Sequence, residues 1–163
     1  MSVAENLDKR TKDIGKISKY VEYLTVQSDT GVKLIESGMA LAESGKMDNF
    51  ISLLSGSRIG DEERVILLQR LQELQTIDPQ NAMQDFAEML GRFAEKTSYK
   101  EMAAYYGELS EAATAVSNSQ EFKDSMNANQ NFERDDSEAA IEAREAIAAM
   151  QRKVKEWSQD LVQ

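Results

Sequence analysis

Apolar residues recur at alternating steps of three and four near both ends of the chain, and this pattern constrains the fold most. The N-terminal series allows one polar slot at Arg10 and consists of Val3, Leu7, Ile14, Ile17, Val21 and Leu24. The C-terminal series has no gap and consists of Ala140, Ala143, Ile147, Met150, Val154, Trp157 and Leu161. A seven-residue repeat places a narrow apolar stripe on a helix, and such a stripe packs against another helix. We therefore predict two long helices that pair within the chain or with other chains.

The rest of the chain also favours helices over strands. It contains one proline, Pro79, many Ala, Glu, Gln, Lys, Leu and Met residues, and no β-branched run of strand length. A length of 163 residues suits one domain with its own core. The predicted fold is an all-α multi-helix bundle of five to seven helices, forming a single domain over 1–163. Long heptad-patterned helices over 3–28 and 137–162 begin and end it.

Three features mark breaks between the inner helices. Gly31, Gly38 and Gly45 are seven residues apart; Gly45 is predicted to end a helix, while a small-residue stripe that admits another backbone is the alternative. Asp78 followed by Pro79 predicts a helix N-terminus, because Asp caps well and Pro suits the first helical position. The polar segment 127–136 predicts a linker before the C-terminal helix. The helix over 61–77 is expected to turn its apolar residues inward: Val65, Leu67, Leu68, Leu71, Leu74 and Ile77.

The residues that catalysis and metal binding most often use are missing. The chain has no cysteine and no histidine, so thiolate nucleophiles, Cys-based zinc sites and imidazole bases are excluded. We therefore do not expect an enzyme, a metal or a cofactor. The best remaining cluster contains Glu133, Asp135, Asp136 and Glu138, but it lacks the central glycine of an EF-hand loop. A helix cap provided by Asp135 or Asp136 is the favoured interpretation.

The acidic charge is concentrated in the middle of the chain. The net charge is −10, and residues 61–136 hold sixteen acidic and seven basic side chains. Such a field disfavours direct binding to nucleic acid and favours a basic protein partner. The alternative is that these acids only keep the protein soluble. Because no run approaches ~20 apolar residues and no apolar signal core follows a basic start, we expect a cytoplasmic location in the producing or host cell and no membrane binding.

These observations lead to three functional hypotheses. The first is a non-catalytic helical assembly protein, a scaffold or adaptor that forms homo-oligomers or a larger complex. Its predicted partner-binding residues are Leu7, Ile14, Ile17, Val21, Leu24, Ile147, Met150, Val154, Trp157 and Leu161. The second is an acidic inhibitor or nucleic-acid mimic of the viral or mobile-element type, whose residues 61–136 bind a basic protein groove. The third is a secretion-related or membrane-active protein that uses 31–54, although the charges in that segment oppose insertion.

Overall fold

The computed structural model describes residues 2–162, and it describes side chains as far as Asp160. This part of the chain holds eight helices and no strand, so the all-α prediction is confirmed, while the predicted five to seven helices are too few. The helices are α1 (Val3–Thr25), α2 (Asp29–Glu43), α3 (Lys46–Ser55), α4 (Asp61–Ile77), α5 (Ala82–Lys96), α6 (Lys100–Asn118), α7 (Gln120–Arg134) and α8 (Glu138–Val162).

The linker predicted at 127–136 is wrong, because α7 continues to Arg134 and only three residues separate it from α8. Ala128 and Phe132 are four residues apart, lie on one face of α7 and are both buried. The polar residues between them form the solvated face of an amphipathic helix. Their low apolar content therefore describes one side of a helix and not an irregular segment.

The boundary at Asp78 and Pro79 exists, but the next helix begins later than predicted. A turn occupies 78–81, and α5 starts at Ala82. The carboxylate of Asp78 accepts a hydrogen bond from the Asn81 side-chain amide at 2.8 Å, within this turn. Asp78 thus stabilises the connection and does not cap α5.

The contacts divide the chain into two compact units. Unit 1 comprises Met1–Glu36 and Ala128–Gln163, and unit 2 comprises Ser37–Asn127. Helices α2 and α7 each have residues in both units. The assignment of 1–163 to a single domain stays a prediction.

Unit 2 is built around α5 and α6, with α3 packed on α6 and α4 packed on α5. Its buried core consists of Phe50, Leu54, Ile59, Leu67, Met83, Phe86, Ala87, Leu90, Tyr105, Leu109, Ala112, Ala113 and Val116. The rings of Phe50 and Phe86 meet edge to face with centroids 6.1 Å apart, an arrangement that adds to the gain from burial. Arg64 donates to the carbonyls of Leu54, at 3.0 Å, and Gly56, and so satisfies the end of α3.

Helix α4 faces the core with fewer residues than its sequence predicts. Leu67 is buried, and Leu71 and Leu74 pack against the core cluster. Val65, Leu68 and Ile77, which were expected to point inward, are exposed. Apolar residues occur all around this helix, so the periodicity cannot select one side.

Unit 1 contains α1 and α8, which pack along each other in antiparallel directions. At one end Arg10 of α1 forms an ion pair with Asp160 of α8 at 3.1 Å. At the other end Leu24 and Ile147 pack against a buried cluster of Phe132, Ala140 and Ala143. We call α1 and α8 the terminal helix pair.

Two glycines shape the ends of α2. Gly31 is buried, and a Cβ placed on it would overlap the carbonyl oxygen of Thr25. Its N–H donates to the Ser28 hydroxyl at 3.1 Å, so Ser28 satisfies an N-terminal amide of α2. Gly45 follows α2 with a φ of 76°, the left-handed conformation that glycine adopts without strain. The predicted break at Gly45 is confirmed.

Candidate protein-binding groove on the terminal helix pair

The predicted partner-binding residues lie on α1 and α8, the two helices of the terminal helix pair. In α1, Val21 is buried, and the other four are half-buried: Leu7, Ile14, Ile17 and Leu24. In α8, the four described side chains are all half-buried: Ile147, Met150, Val154 and Trp157. The side chain of Leu161 lies outside the described residues. Whether these residues bind a partner stays a prediction.

Burial changes along the terminal helix pair. Near the cluster of Phe132, Ala140 and Ala143, the pair holds fully buried side chains. We call residues 3–17 of α1 and 150–160 of α8 the outer half of the pair. No residue of the outer half is fully buried. The apolar stripe therefore continues into a region where the fold covers it only partly.

A groove of about 360 Å³ lies between α1 and α8 in the outer half. We call it the terminal groove. Ile14, Ile17 and Trp157 provide its apolar surface, and its other lining residues are Asn6, Lys9, Arg10, Asp13, Lys153, Glu156 and Asp160. It brings together three of the predicted partner-binding residues, two from α1 and one from α8.

The charges around the terminal groove are balanced. Three of its lining residues are basic and three are acidic. Arg10 and Asp160 pair across the two helices, but the side chain of Asp160 is 59% exposed. Exposed pairs of this kind contribute about 0–1 kcal/mol. The outer half is therefore held mainly by its narrow apolar stripe.

The indole N–H of Trp157 is the one buried side-chain polar group without a hydrogen-bond partner among the described side chains. A buried donor without an acceptor costs about 1–3 kcal/mol. This donor belongs to a residue that lines the terminal groove. Trp157 therefore lines the groove and also carries an unsatisfied donor that is shielded from solvent.

The acidic segment before α8 has a structural role. The carboxylate of Asp135 accepts hydrogen bonds from the Thr30 hydroxyl and from the Ser137 N–H, the latter at 2.9 Å. These bonds, first that from Thr30, hold the pKa of Asp135 below its usual value. Ser137, not Asp135 or Asp136, caps α8, since its hydroxyl accepts from the Ala140 N–H at 3.3 Å. Within residues 2–162, no group of three or more carboxylates could hold a metal ion.

Arg144 of α8 completes this corner of unit 1. Its guanidinium donates to the carbonyls of Phe132 at 2.6 Å and Asp135 at 2.8 Å. It also lies over the Phe132 ring, 5.8 Å from the centroid. These bonds satisfy carbonyls at the end of α7 and fix the turn that leads into α8.

A second cavity, of about 400 Å³, lies in unit 2. Its lining is mostly amide and apolar and consists of Gln80, Asn81, Gln84, Ser117, Asn118, Phe122, Lys123, Met126 and Asn127. It contains no carboxylate and a single charged residue, Lys123. This lining provides hydrogen-bonding groups but no general acid–base pair.

The charged residues of the terminal groove were not predicted from the sequence. The apolar repeat points to the stripe itself, whereas Lys9, Asp13, Lys153 and Glu156 flank it. In paired helices the flanking positions carry the charges that set partner and orientation. The sequence signal for these charged residues is their position beside the apolar stripe, at the flanking positions of the repeat.

No family model, no curated protein and no solved structure matches this chain.

Residues 2–162 contain no helix that combines the length and apolarity needed to cross a bilayer.

Proposed function

We propose that this protein is a non-catalytic helical assembly protein, a scaffold or adaptor whose terminal helix pair binds other helices. The observation that carries the proposal is the outer half of the pair. There, Ile14, Ile17 and Trp157 lie on an apolar stripe that the fold leaves partly exposed. A third helix placed on this stripe would bury the surface that α1 and α8 leave open.

The energetics support a partner at this position. Apolar surface removed from water contributes about 25 cal/mol per Å², and the stripe residues Ile14, Ile17 and Trp157 each keep part of their surface exposed. Helices owe most of their stability in proteins to packing of an apolar face and not to intrinsic propensity. Two helices in contact along one narrow stripe gain little of this packing. A partner helix would stabilise the outer half and bind through the same residues.

The chemistry of the chain is consistent with a binding role. It has no cysteine and no histidine, and recognition between helices requires neither. Apolar stripes flanked by charges of both signs are the usual means by which helices select partners. We also propose a cytoplasmic location, which suits a protein without cysteines.

The proposal is tested on complexes isolated under mild conditions from cells that produce the protein. We expect the wild-type chain to be in complexes larger than 18.3 kDa, at low and at high salt. Ile17→Asp places a charge on the stripe and should release the chain from those complexes. Ile66→Asp, on the exposed face of α4, is the matched control and should leave them intact.

A second variant separates binding from folding. Lys9→Glu combined with Lys153→Glu changes two exposed groove residues and leaves the stripe intact. Circular dichroism should show wild-type helix content, while the complexes are weakened. Complexes that survive both groove variants, or that are lost equally in Ile66→Asp, would contradict a role for the terminal helix pair.

A second candidate function draws on the surface charge of unit 2. Residues 37–127 hold fifteen acidic and eight basic side chains, and many of the acids are exposed: Asp61, Glu62, Glu63, Glu73, Glu88, Glu95, Glu101, Glu108 and Glu111. An acidic inhibitor or nucleic-acid mimic, of the viral or mobile-element type, would present such a surface to a basic groove. Its complexes should dissociate steeply as salt rises, whereas complexes held by the apolar stripe should not.

A further inference from the structure

We propose that the partner of the terminal helix pair is a second copy of this chain. The two pairs would stack groove to groove about a two-fold axis and form an antiparallel four-helix bundle. This inference rests on the proposed function and names the partner in it. Three observations support it: the charges of the groove, its apolar surface, and the unsatisfied N–H of Trp157.

The first observation is that the terminal groove is complementary in charge to itself. In a two-fold interface the same patch lies on both sides, so a patch of one sign would repel its copy. The terminal groove contains three bases, Lys9, Arg10 and Lys153, and three acids, Asp13, Glu156 and Asp160. A second copy can therefore place opposite charges against each other. A partner helix that carries charges of only one sign would face like charges at three of these six groove residues.

The wider distribution of charge is compatible with the same partner. The chain carries a net charge of −10, yet the outer half holds five acidic and seven basic residues. The excess of acids thus lies elsewhere in the chain. Each outer half has a net charge of only +2, so contact between two outer halves involves little repulsion between like charges.

The second observation is the apolar surface of the groove. Ile14, Ile17 and Trp157 are half-buried in one copy. Four-helix bundles bury such residues by closing two helix pairs over a shared core. Trp157 is the largest of the three side chains, and tryptophan is enriched among the residues that dominate binding energy.

The third observation is the indole N–H of Trp157, which has no acceptor among the described residues. The groove is lined by long side chains, including Lys9, Lys153 and Glu156, which can change rotamer when another surface arrives. The N–H is shielded from solvent within one copy, so these side chains have to move before a carboxylate of the second copy can accept from it. Dimer formation would thereby remove the cost of an unsatisfied donor.

The experiment uses the purified full-length chain and its own signals. Trp157 is the only tryptophan, so its fluorescence reports the terminal groove without labelling. Mass by light scattering and Trp157 emission are measured together over a dilution series. We expect the mass to double with concentration, and Trp157 emission to shift to shorter wavelength over the same range.

Exchange of charges tests the two-fold arrangement directly. Lys9→Glu with Lys153→Glu makes the groove acidic, and Asp13→Lys with Glu156→Lys makes it basic. Each variant alone should raise the dimer Kd by about tenfold or more, which corresponds to about 1.4 kcal/mol. An equimolar mixture of the two should restore a dimer that contains one copy of each. Lys19→Glu with Lys155→Glu is the control; it changes the net charge as the acidic variant does, at exposed positions that do not line the groove.

The outcomes separate this inference from the proposed function. In one outcome the chain stays at 18.3 kDa at every concentration while the complexes from cells still depend on Ile17. That result would leave the proposed assembly function intact but would contradict a second copy as the partner. A dimer that forms without a change in Trp157 emission, or a mixture that fails to recover dimer, also overturns it. If the complexes from cells are unchanged in the groove variants, both the proposed assembly function and the second copy as partner are contradicted.

Discussion

Unit 2 buries large side chains, whereas unit 1 is held together by small ones. Phe86, Leu90, Tyr105 and Leu109 are almost completely inaccessible in unit 2. In unit 1, Phe132 is the only large side chain of the buried cluster, and its neighbours there are Ala140 and Ala143. Alanines let helices approach closely but bury little area. The difference indicates that unit 2 has the larger share of the folding free energy, although exposed apolar side chains occur in both units.

The two units nevertheless use the same device to end a helix. Arg64 of α4 donates to carbonyls at the end of α3, and Arg144 of α8 donates to carbonyls at the end of α7. In each case the guanidinium comes from the next helix in the chain. Each unit therefore contains one helix end that an arginine of the next helix satisfies, and the contrast between the units lies in their cores.

The largest expected effect concerns the core of unit 2. Phe86→Ala removes a fully buried ring that meets Phe50 edge to face and should lower the free energy of unfolding by about 3–5 kcal/mol. Urea denaturation followed by circular dichroism measures it. Ile66→Ala, on the exposed side of α4, is the control and should cost far less. Equal losses of unfolding free energy in the two variants would mean that the buried ring of Phe86 contributes no more than an exposed side chain. The comparison of the two cores would then have no basis.

Two glycines of α2, one in each unit, differ in the space around their backbone. Gly31→Ala places a Cβ against the Thr25 carbonyl and should destabilise by about 1–3 kcal/mol, because backbone must move. Gly38→Ala meets open space in the same helix and should stabilise by up to about 1 kcal/mol. Melting temperatures of the two variants should therefore move in opposite directions. A shared direction would contradict the close approach at Gly31.

Removal of the Arg144 guanidinium tests the end of α7. Arg144→Met keeps an apolar stem near Phe132 but leaves the carbonyls of Phe132 and Asp135 without this donor. We expect a loss of about 1–3 kcal/mol in urea denaturation. Arg152→Met, an exposed position in α8, provides the control and should have almost no effect. An equally small effect for Arg144→Met would show that water replaces the guanidinium at no cost.

The smallest effect is a dependence of stability on pH. Hydrogen bonds from Thr30 and Ser137 lower the pKa of Asp135 in the folded protein. The ionised carboxylate therefore stabilises the fold above its unfolded pKa of about 3.9, and this contribution is lost as the pH falls through the lower folded value. The Asp135→Asn variant should lose less stability than wild type between pH 6 and pH 3, in contrast to Asp136→Asn. Identical pH profiles for all three proteins would contradict the prediction.

The helical fold could be predicted from the sequence because its signals are local. The positions of Gly45 and of the two terminal helices follow from residue type and from periodicity over a few turns. The helical state of 127–134 depends on burial of Ala128 and Phe132, which composition alone does not reveal. The orientation of α4 does not follow from its sequence, because the exposed residues Val65 and Leu68 are as apolar as the residues of α4 that reach the core.

The candidate site could be predicted only in part. The stripe residues Ile14, Ile17 and Trp157 follow from the heptad spacing, but the groove needs the antiparallel alignment of α1 and α8. That alignment brings Arg10 to Asp160, 150 residues away in sequence. Pairing over such a distance is set by the tertiary fold, so the charged lining of the groove becomes visible only in three dimensions.

Amide hydrogen exchange, followed by mass spectrometry at low and high protein concentration, compares the outer half with the core of unit 2. In dilute protein, we expect fast exchange in residues 3–17 and 150–160 and slow exchange in α5 and α6, because local stability follows burial. At high concentration the outer half should become protected, while α5 and α6 remain unchanged. Outer-half amides that are as protected as those of α5 in dilute protein, or that do not respond to concentration, would contradict a partly covered outer half that binds a second copy.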